Sequence, residues 1–419
     1  MTGVQTCALP IYEFLECNET CSVGGAPEYR AYLTRKGIWE KRDVQDAPWV
    51  QELPPAEWGK YANPRRANID GRPSALAYED TEEGWVAQRC IDFMGRCRKA
   101  GEPFFVHASL PRPHSPYVPP QCFWDLYPDD SIALPPNADY DMALKAPHLR
   151  RMARTWRENK HWITEQPDDF ESARRRKLRG YLGCVSLVDH AVGQLVDWID
   201  DHGLAENTII VYSTDHGDYA CEHGQLEKAP GICSDAITRI PMIWRWPGRV
   251  KAGLDSPAIA ETVDLSQTLC ALAGLDPLET SDGRDLSAIL AGGSQPVREV
   301  GVTEFAWSKS IRKGQWRLVW YPREKFAGEY PDGFGELYDL DADPWEMTNR
   351  WFDPDCQAKV RELERDLMDW LVTTTRPATV LPWQRFGGWQ AERRYKNCVL
   401  ADGKIHFDRV RAIKEGNYI

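Results

Sequence analysis

The segment NTIIVYSTDHGDYACEHGQLEK, Asn207–Lys228, decides how this chain is read. Asn207–Tyr212 is a short apolar run of the kind that forms a strand buried within a sheet. The run leads directly into Asp215 and His216, and Gly217 lets the chain turn sharply behind them. In open α/β sheets, ligands bind just beyond the carboxyl ends of the strands, where this pair falls. A carboxylate oxygen and an imidazole nitrogen side by side there can hold a divalent cation. An isolated Asp-His pair is also what a capping Asp beside a packed His looks like, so its weight comes from its surroundings.

Working outward, Lys177–His202 is the clearest helix. Leu182, Val185, Val188, Val192, Leu195, Val196 and Ile199 lie on one stripe, and Gly203 follows its end. Ile240–Trp246 reads as another buried strand. Upstream, Ala77–Lys99 is expected to be a helix in which Asp80 caps and Glu83 reaches back. PFFVHASL, Pro103–Leu110, is a nearly continuous apolar run, expected as a strand buried on both faces. The following PRPHSPYVPP can be neither helix nor central strand, so it must be a rigid loop leaving that strand. Strand and helix in alternation point to an α/β sheet sandwiched by helices.

Elsewhere the texture differs. Glu13–Asn68 reads as irregular loops, and Leu149–Arg179 as a polar, basic surface stretch. Asp264–Ala273 is a capped helix ending at Gly274. Past Gly292 and Gly293, Ser310–Tyr321 and Glu336–Leu340 read as antiparallel strands, followed by a helix from about Cys356 to Leu371. That is a small α+β appendage. The expected division is residues 13–293 for the catalytic α/β domain, 294–380 for the C-terminal subdomain and 381–419 for an extension.

At 419 residues the chain can hold one large α/β domain with a smaller appendage, and no apolar stretch is long enough to span a bilayer. A net charge of −12 argues against a nucleic-acid partner, though a few local cations still suit an anionic substrate. The 12 cysteines show no paired CxxC knuckles, so they read as buried apolar residues rather than a zinc site or disulfide framework. Eighteen tryptophans fit a substrate cleft or a large aromatic core.

Two further side chains carry candidate chemistry. His114, between prolines in a rigid loop, is placed to project into a cleft and donate a proton to a leaving oxygen. Lys228 offers an ammonium to one oxygen of a tetrahedral oxyanion. His107, inside the expected strand, reads as a packed core histidine.

Taken together, PFFVHASLPRPHSPYVPP, VDHAVGQLVDWIDDHGLAENTIIVYSTDHGDYACEHG, RIPMIWRWPGRV, WRLVWYP and GELYDLDADPWEMTN resemble the type I sulfatases of the alkaline phosphatase superfamily. The likeness runs from about Glu13 to Leu371. It implies an alkaline-phosphatase-like fold and hydrolysis of a sulfate ester, of a small molecule or a carbohydrate. By resemblance, Asp215 and His216 are half of a metal site, with Ca2+ the expected ion and Mn2+ the alternative. His114 matches the histidine at the sulfate or its leaving oxygen, and Lys228 the lysine that binds the sulfate. Asp218 and His223 are expected to act behind the site or structurally. Ala220 and Cys221 depart from the family, which usually has a bulkier apolar residue and Gly there.

The family also places a formylglycine, made from Cys or Ser in a Cys-x-Pro-Ser-Arg or Ser-x-Pro-Ser-Arg word, after a strand carrying paired aspartates. Neither word occurs in the 419 residues, and Asp129 and Asp130 sit in a loop. Met1–Ile11 has no periodicity and resembles a translated sequencing adapter, which makes residues 1–12 an expected artefact. The expectation is therefore a chain whose nucleophile and remaining metal ligands lie upstream of Glu13, inactive by itself. Phosphonate monoester or phosphodiester hydrolysis, and non-catalytic oxyanion or glycan binding, are the alternative functions.

Overall fold

The computed structural model describes residues 27–41, 71–128, 131–158, 170–228, 233–278 and 281–374. Met1–Ile11, most of Glu13–Asn68, Asp129 and Asp130, and the extension 381–419 lie outside them. The described residues up to Leu363 belong to one compact unit and those from Glu364 to another.

The helices used below are α1 (Pro27–Arg35), α2 (Glu82–Ala100), α3 (Gln121–Trp124), α4 (Pro147–Glu158), α5 (Phe170–Asp201), α6 (Asp235–Thr238), α7 (Asp264–Leu272), α8 (Ser287–Leu290) and α9 (Gln357–Thr374). The strands are β1 (Ile210–Ser213), β2 (Met242–Arg245), β3 (Val300–Phe305), β4 (Ser308–Lys313), β5 (Trp316–Trp320) and β6 (Gly335–Asp339). β1 and β2 pair antiparallel, and β3–β4–β5–β6 form a four-stranded antiparallel meander. The C-terminal strands are as expected from the sequence, with β3 added.

α2 packs against α5, the long helix that feeds β1. α5 begins at Phe170, earlier than the apolar stripe suggests, because Arg174 is taken in by tertiary contacts. Its guanidinium lies 4.5 Å from the Phe170 ring centre and donates to Asp139 Oδ2 at 2.5 Å. Arg174, Lys177 and Leu149 are buried, so Leu149–Arg179 is not simply a surface stretch. The close packing of α5 needs a glycine: a Cβ on Gly180 would come within 2.3 Å of the Tyr117 carbonyl oxygen.

Several expectations are corrected. Pro27–Arg35 is helical within the stretch read as loops, with proline at its start, Glu28 in the first turn and Arg35 in the last. Its Tyr29 and Leu33 pack with Trp85 and Val86. Thr81, not Asp80, caps α2, accepting from the Gly84 N–H at 3.1 Å. Asp80 instead accepts from Tyr32 at 2.7 Å and pairs with Lys36. Glu83 does not reach back; it accepts from the Arg112 N–H at 3.1 Å.

Pro103–Leu110 belongs to no sheet among the described residues. Its side chains alternate between exposed and half-buried, with Phe105 78% exposed and His107 exposed rather than packed in a core. Without a neighbouring strand an apolar run has nothing to bury it on two sides. β1 and β2 are likewise half-buried, with Ile243 59% exposed.

The described cysteines are all unbridged, and five of them (Cys97, Cys184, Cys221, Cys233 and Cys356) are buried. Among the described residues no helix is long and apolar enough to cross a membrane.

Candidate active site

β1 delivers Asp215 and His216 to its carboxyl end. The Asp215 carboxylate accepts from the His216 N–H at 2.9 Å, and its other oxygen lies 3.4 Å from His216 Nε2. His216 Nδ1 is 2.7 Å from the Gly217 carbonyl. A carbonyl can only accept, so Nδ1 carries the proton and the Nε2 lone pair is left facing out. The Lys228 ammonium donates to that lone pair at 2.9 Å. Three of the four expected site residues thus meet at one point.

His114 approaches through its neighbours. Its Nδ1 is 2.8 Å from the Ser115 carbonyl, and the Ser115 hydroxyl donates to Glu227 Oε1 at 2.5 Å. Ser115 adjoins His114 and Glu227 adjoins Lys228, so the proline loop and the Lys228 loop lie against each other. Tyr117, from the same proline loop, donates to Asp218 Oδ2 at 2.6 Å. Asp218 Oδ1 accepts from the N–H groups of Ala220 and Glu227 at 2.8 and 3.0 Å. Burial raises the Asp218 carboxyl above its ordinary range, against the Tyr117 hydrogen bond that lowers it. Asp218 therefore braces the loops behind the site. Nothing in the sequence spacing marks Ser115 and Glu227 as a pair, since they stand 112 residues apart.

Gly217 earns its place differently from the sequence expectation. It is absent from the left-handed glycines, and a Cβ there would come within 2.0 Å of the Ala236 carbonyl oxygen. Close approach is what excludes a side chain. The Gly217 N–H donates to Ile237 at 2.8 Å, which seats the loop on α6. The left-handed residues lie beyond it: Ala220 at φ 42°, Cys221 at 77°, His223 at 50° and Glu227 at 61°. The departure at Cys221 thus falls where glycine would fit without strain. Its thiol is buried and pushed up to about 12 by desolvation, which leaves it inert as a nucleophile.

α6 is itself held from the C-terminal sheet. Arg317 on β5 donates to the Cys233 carbonyl at 3.3 Å, to Glu346 Oε1 at 2.8 Å, to Asp235 Oδ1 at 2.5 Å and to Thr238 Oγ1 at 2.6 Å. Burial alone would raise Glu346, but Arg317 holds its carboxyl well below the usual range. His223 sits beside this pair, with Nε2 3.4 Å from Asn137 Nδ2 and Nδ1 2.9 Å from the Tyr140 hydroxyl. Asn137 gives its two amide hydrogens to Glu222 Oε2 at 3.1 Å and the Trp345 carbonyl at 3.0 Å, and Glu346 Oε2 also lies 3.8 Å from His223 Nε2. Burial, then the Lys145 charge, lowers His223 to about 4. Glu336, on β6, accepts from the Ala146 N–H at 2.8 Å and so anchors the start of α4. Sequence reading missed Arg317 and Glu346, which lie in ordinary strand and turn sequence.

Comparison with known proteins bears on this geometry. The sulfatase family matches residues 37–275, more than half of the chain. The chain belongs to the sulfatase family. The C-terminal region of N-sulphoglucosamine sulphohydrolase matches residues 221–372. An arylsulfatase of Clostridium perfringens is 27% identical over 268 residues, covering 63% of this chain and 52% of that protein. An N-acetylglucosamine-6-O-sulfatase of Bacteroides thetaiotaomicron is 31% identical over 201 residues, covering 44% and 34%. In fold, the phosphonate monoester hydrolase of Silicibacter pomeroyi superposes with a TM-score of 0.66 at 20% identity, covering 84% of this chain and 69% of that one. The chain spans about half the length of the curated relatives it matches first. The fold is thus alkaline-phosphatase-like, with a C-terminal subdomain.

Sulfatases as a family use a divalent cation and a formylglycine. Asp215 and His216 fit the first as a two-donor face, since a carboxylate oxygen and an unprotonated imidazole nitrogen converge there. Among the described residues no cluster of three or more metal-ligating side chains exists. The second has no counterpart, because the 419 residues contain neither modification word.

Proposed function

We propose that this chain carries the leaving-group and oxyanion side of a sulfate-ester hydrolase acting on a sulfated carbohydrate. The observation that carries the reading is the convergence of Lys228 on His216 at the tip of β1, with the His114 loop bonded alongside. Lys228 holds a sulfate oxygen and stabilises the charge that shifts onto it during transfer. His114 donates a proton to the departing alcohol oxygen. Asp215 and His216 hold a divalent cation, calcium before manganese, which when bound supplies positive charge against the sulfate oxygens. The Nδ1 proton of His216, given to Gly217, leaves Nε2 unprotonated, so the lone pair that receives Lys228 is the one a cation would take in its place. The carbohydrate class is supported by the N-acetylglucosamine-6-O-sulfatase relative.

With no modification word in its sequence, the 419-residue chain is expected to bind sulfate without turning over its ester. The test is to express the gene region encoding these residues with its flanking reading frame. The product is assayed on a sugar sulfate, an aryl sulfate and a phosphonate monoester. Sulfate-ester turnover that falls at least 100-fold in Lys228→Ala and His114→Ala supports the reading. Faster turnover of the phosphonate would assign the site to phosphonate hydrolysis instead. Oxyanion binding with no turnover of any ester would leave a binding protein.

A further inference from the structure

Ser115 is buried and engaged at both of its polar oxygens. Its carbonyl lies 2.8 Å from His114 Nδ1, and its hydroxyl donates to Glu227 Oε1 at 2.5 Å. A carbonyl can only accept, so the imidazole proton sits on Nδ1 and Nε2 is left for a departing oxygen. One residue therefore fixes the imidazole on its own loop and fastens that loop to the residue before Lys228. The proline loop is also closed on itself. The Arg112 guanidinium donates to the Pro116 carbonyl at 2.9 Å, and the His114 N–H to the Pro111 carbonyl at 3.1 Å. A loop braced in this way moves as one body, and the bonds of Ser115 and Tyr117 decide how it meets the Lys228 loop.

The partner, Glu227, stands at φ 61°, in the left-handed region where glycine is favoured and a glutamate is strained. Its backbone is fixed on both sides. The N–H donates to Asp218 Oδ1 at 3.0 Å, and the carbonyl accepts from the Tyr219 N–H at 3.1 Å. The turn itself suits a glycine, so its shape gives no reason for a carboxylate. Charge gives none either, because a carboxylate next to Lys228 repels the sulfate that Lys228 is to hold. What the side chain does supply is the acceptor for Ser115. A strained backbone kept in place by its surroundings, beside groups with candidate chemistry, is where a positioning role is expected.

We propose that Ser115 and Glu227 are positioning residues, whose hydrogen bond holds the His114 imidazole and the Lys228 ammonium at a fixed spacing so that both meet one oxyanion. This rests on the sulfate-ester reading above and adds the pair that aligns its two loops. The test measures inorganic sulfate binding by the 419-residue chain in calorimetry, with calcium present. Glu227→Gly removes the carboxylate and its strain together, and the two accounts of Glu227 give that change opposite signs. Losing only a repelling charge tightens sulfate binding, whereas losing an aligning bond weakens it, here by about fivefold. Glu227→Gln, whose amide oxygen still accepts from Ser115, binds sulfate at least as tightly as the wild type. Ser115→Ala breaks the same bond from the other loop and shows the same loss. The double variant Ser115→Ala/Glu227→Gly loses no more than either change alone. Its Glu227→Gly parent melts within about 3 °C of the wild type, because relief of the backbone offsets the lost bond. Tighter or unchanged sulfate binding in Glu227→Gly or in Ser115→Ala overturns the inference and leaves the sulfate site in place. So do additive losses in the double variant, or a Glu227→Gln chain as weak as Glu227→Gly. A lower melting temperature in both single variants overturns it too, by making the bond a prop of the fold. Lys228→Ala tests the reading beneath: sulfate binding that survives this change, or is absent from the wild type, overturns both.

Discussion

Asp215 and Lys228 stand at the surface, whereas Arg317, Glu346 and His223 beneath them are almost entirely enclosed. The surface group is held by few bonds, chiefly to its own members, and its charges can be spent on a ligand. The enclosed group spends every charge on the protein, with one guanidinium tying the Cys233–Thr238 segment to β5. The difference teaches that the chemistry and its alignment are separate jobs. Gly217 connects them, resting on α6 through its N–H and orienting His216 through its carbonyl.

The hardest test of this division is Arg317→Met. It strands the enclosed Glu346 carboxylate, while Asp235 keeps Arg312 at 3.5 Å, and a loss of about 3–5 kcal/mol is expected in urea unfolding. A loss below about 1 kcal/mol would show that the enclosed layer does not support the loops.

Acid probes the same layer through His223. Its pKa of about 4 in the fold lies below the ordinary 6.5. Between those values the unfolded chain takes up a proton that the folded one refuses, so stability falls as pH drops from 6.5 to 4. The loss is on the order of 3 kcal/mol. Glu346, held low by Arg317, adds to it only once the pH enters the carboxylate range. Comparing unfolding at pH 7, 5.5 and 4 in the wild type and His223→Gln isolates the imidazole. Equal slopes would mean the buried site tolerates the charge.

Tyr117→Phe is milder. Removing the hydroxyl leaves one Asp218 oxygen without that donor, and about 1 kcal/mol of stability should go. Thermal unfolding measures it, and no change would show the loop brace to be redundant.

Asp215→Asn should move stability least, within about 0.5 kcal/mol, because the side chain is exposed. Calcium binding by calorimetry should nonetheless fall at least tenfold. Unchanged calcium affinity would remove Asp215 from the proposed metal site and blur the contrast between the layers.

Much of the site was legible in the sequence because its residues are close in the chain. Asp215, His216 and Lys228 follow one strand, and the proline loop announces itself by composition. The long helix and the C-terminal strands were legible from periodicity, which reports local burial directly. Pro103–Leu110 misled for the same reason: an apolar run records what a segment can bury, whereas burial depends on neighbours no local pattern names. Asp80 was a credible cap by type, but Tyr32 and Lys36 claimed it from a distant helix.

By itself the sequence determined the kinds of group at the tip of β1, since residue identity sets which atoms can bind a cation, hold an oxyanion or give a proton. Only the tertiary structure decided which nitrogen of His216 carries the proton, that Gly217 is there for close approach, and that Arg317 secures the ground beneath. Those outcomes depend on contacts between residues far apart in the chain, and distance in space is the quantity a linear pattern does not contain.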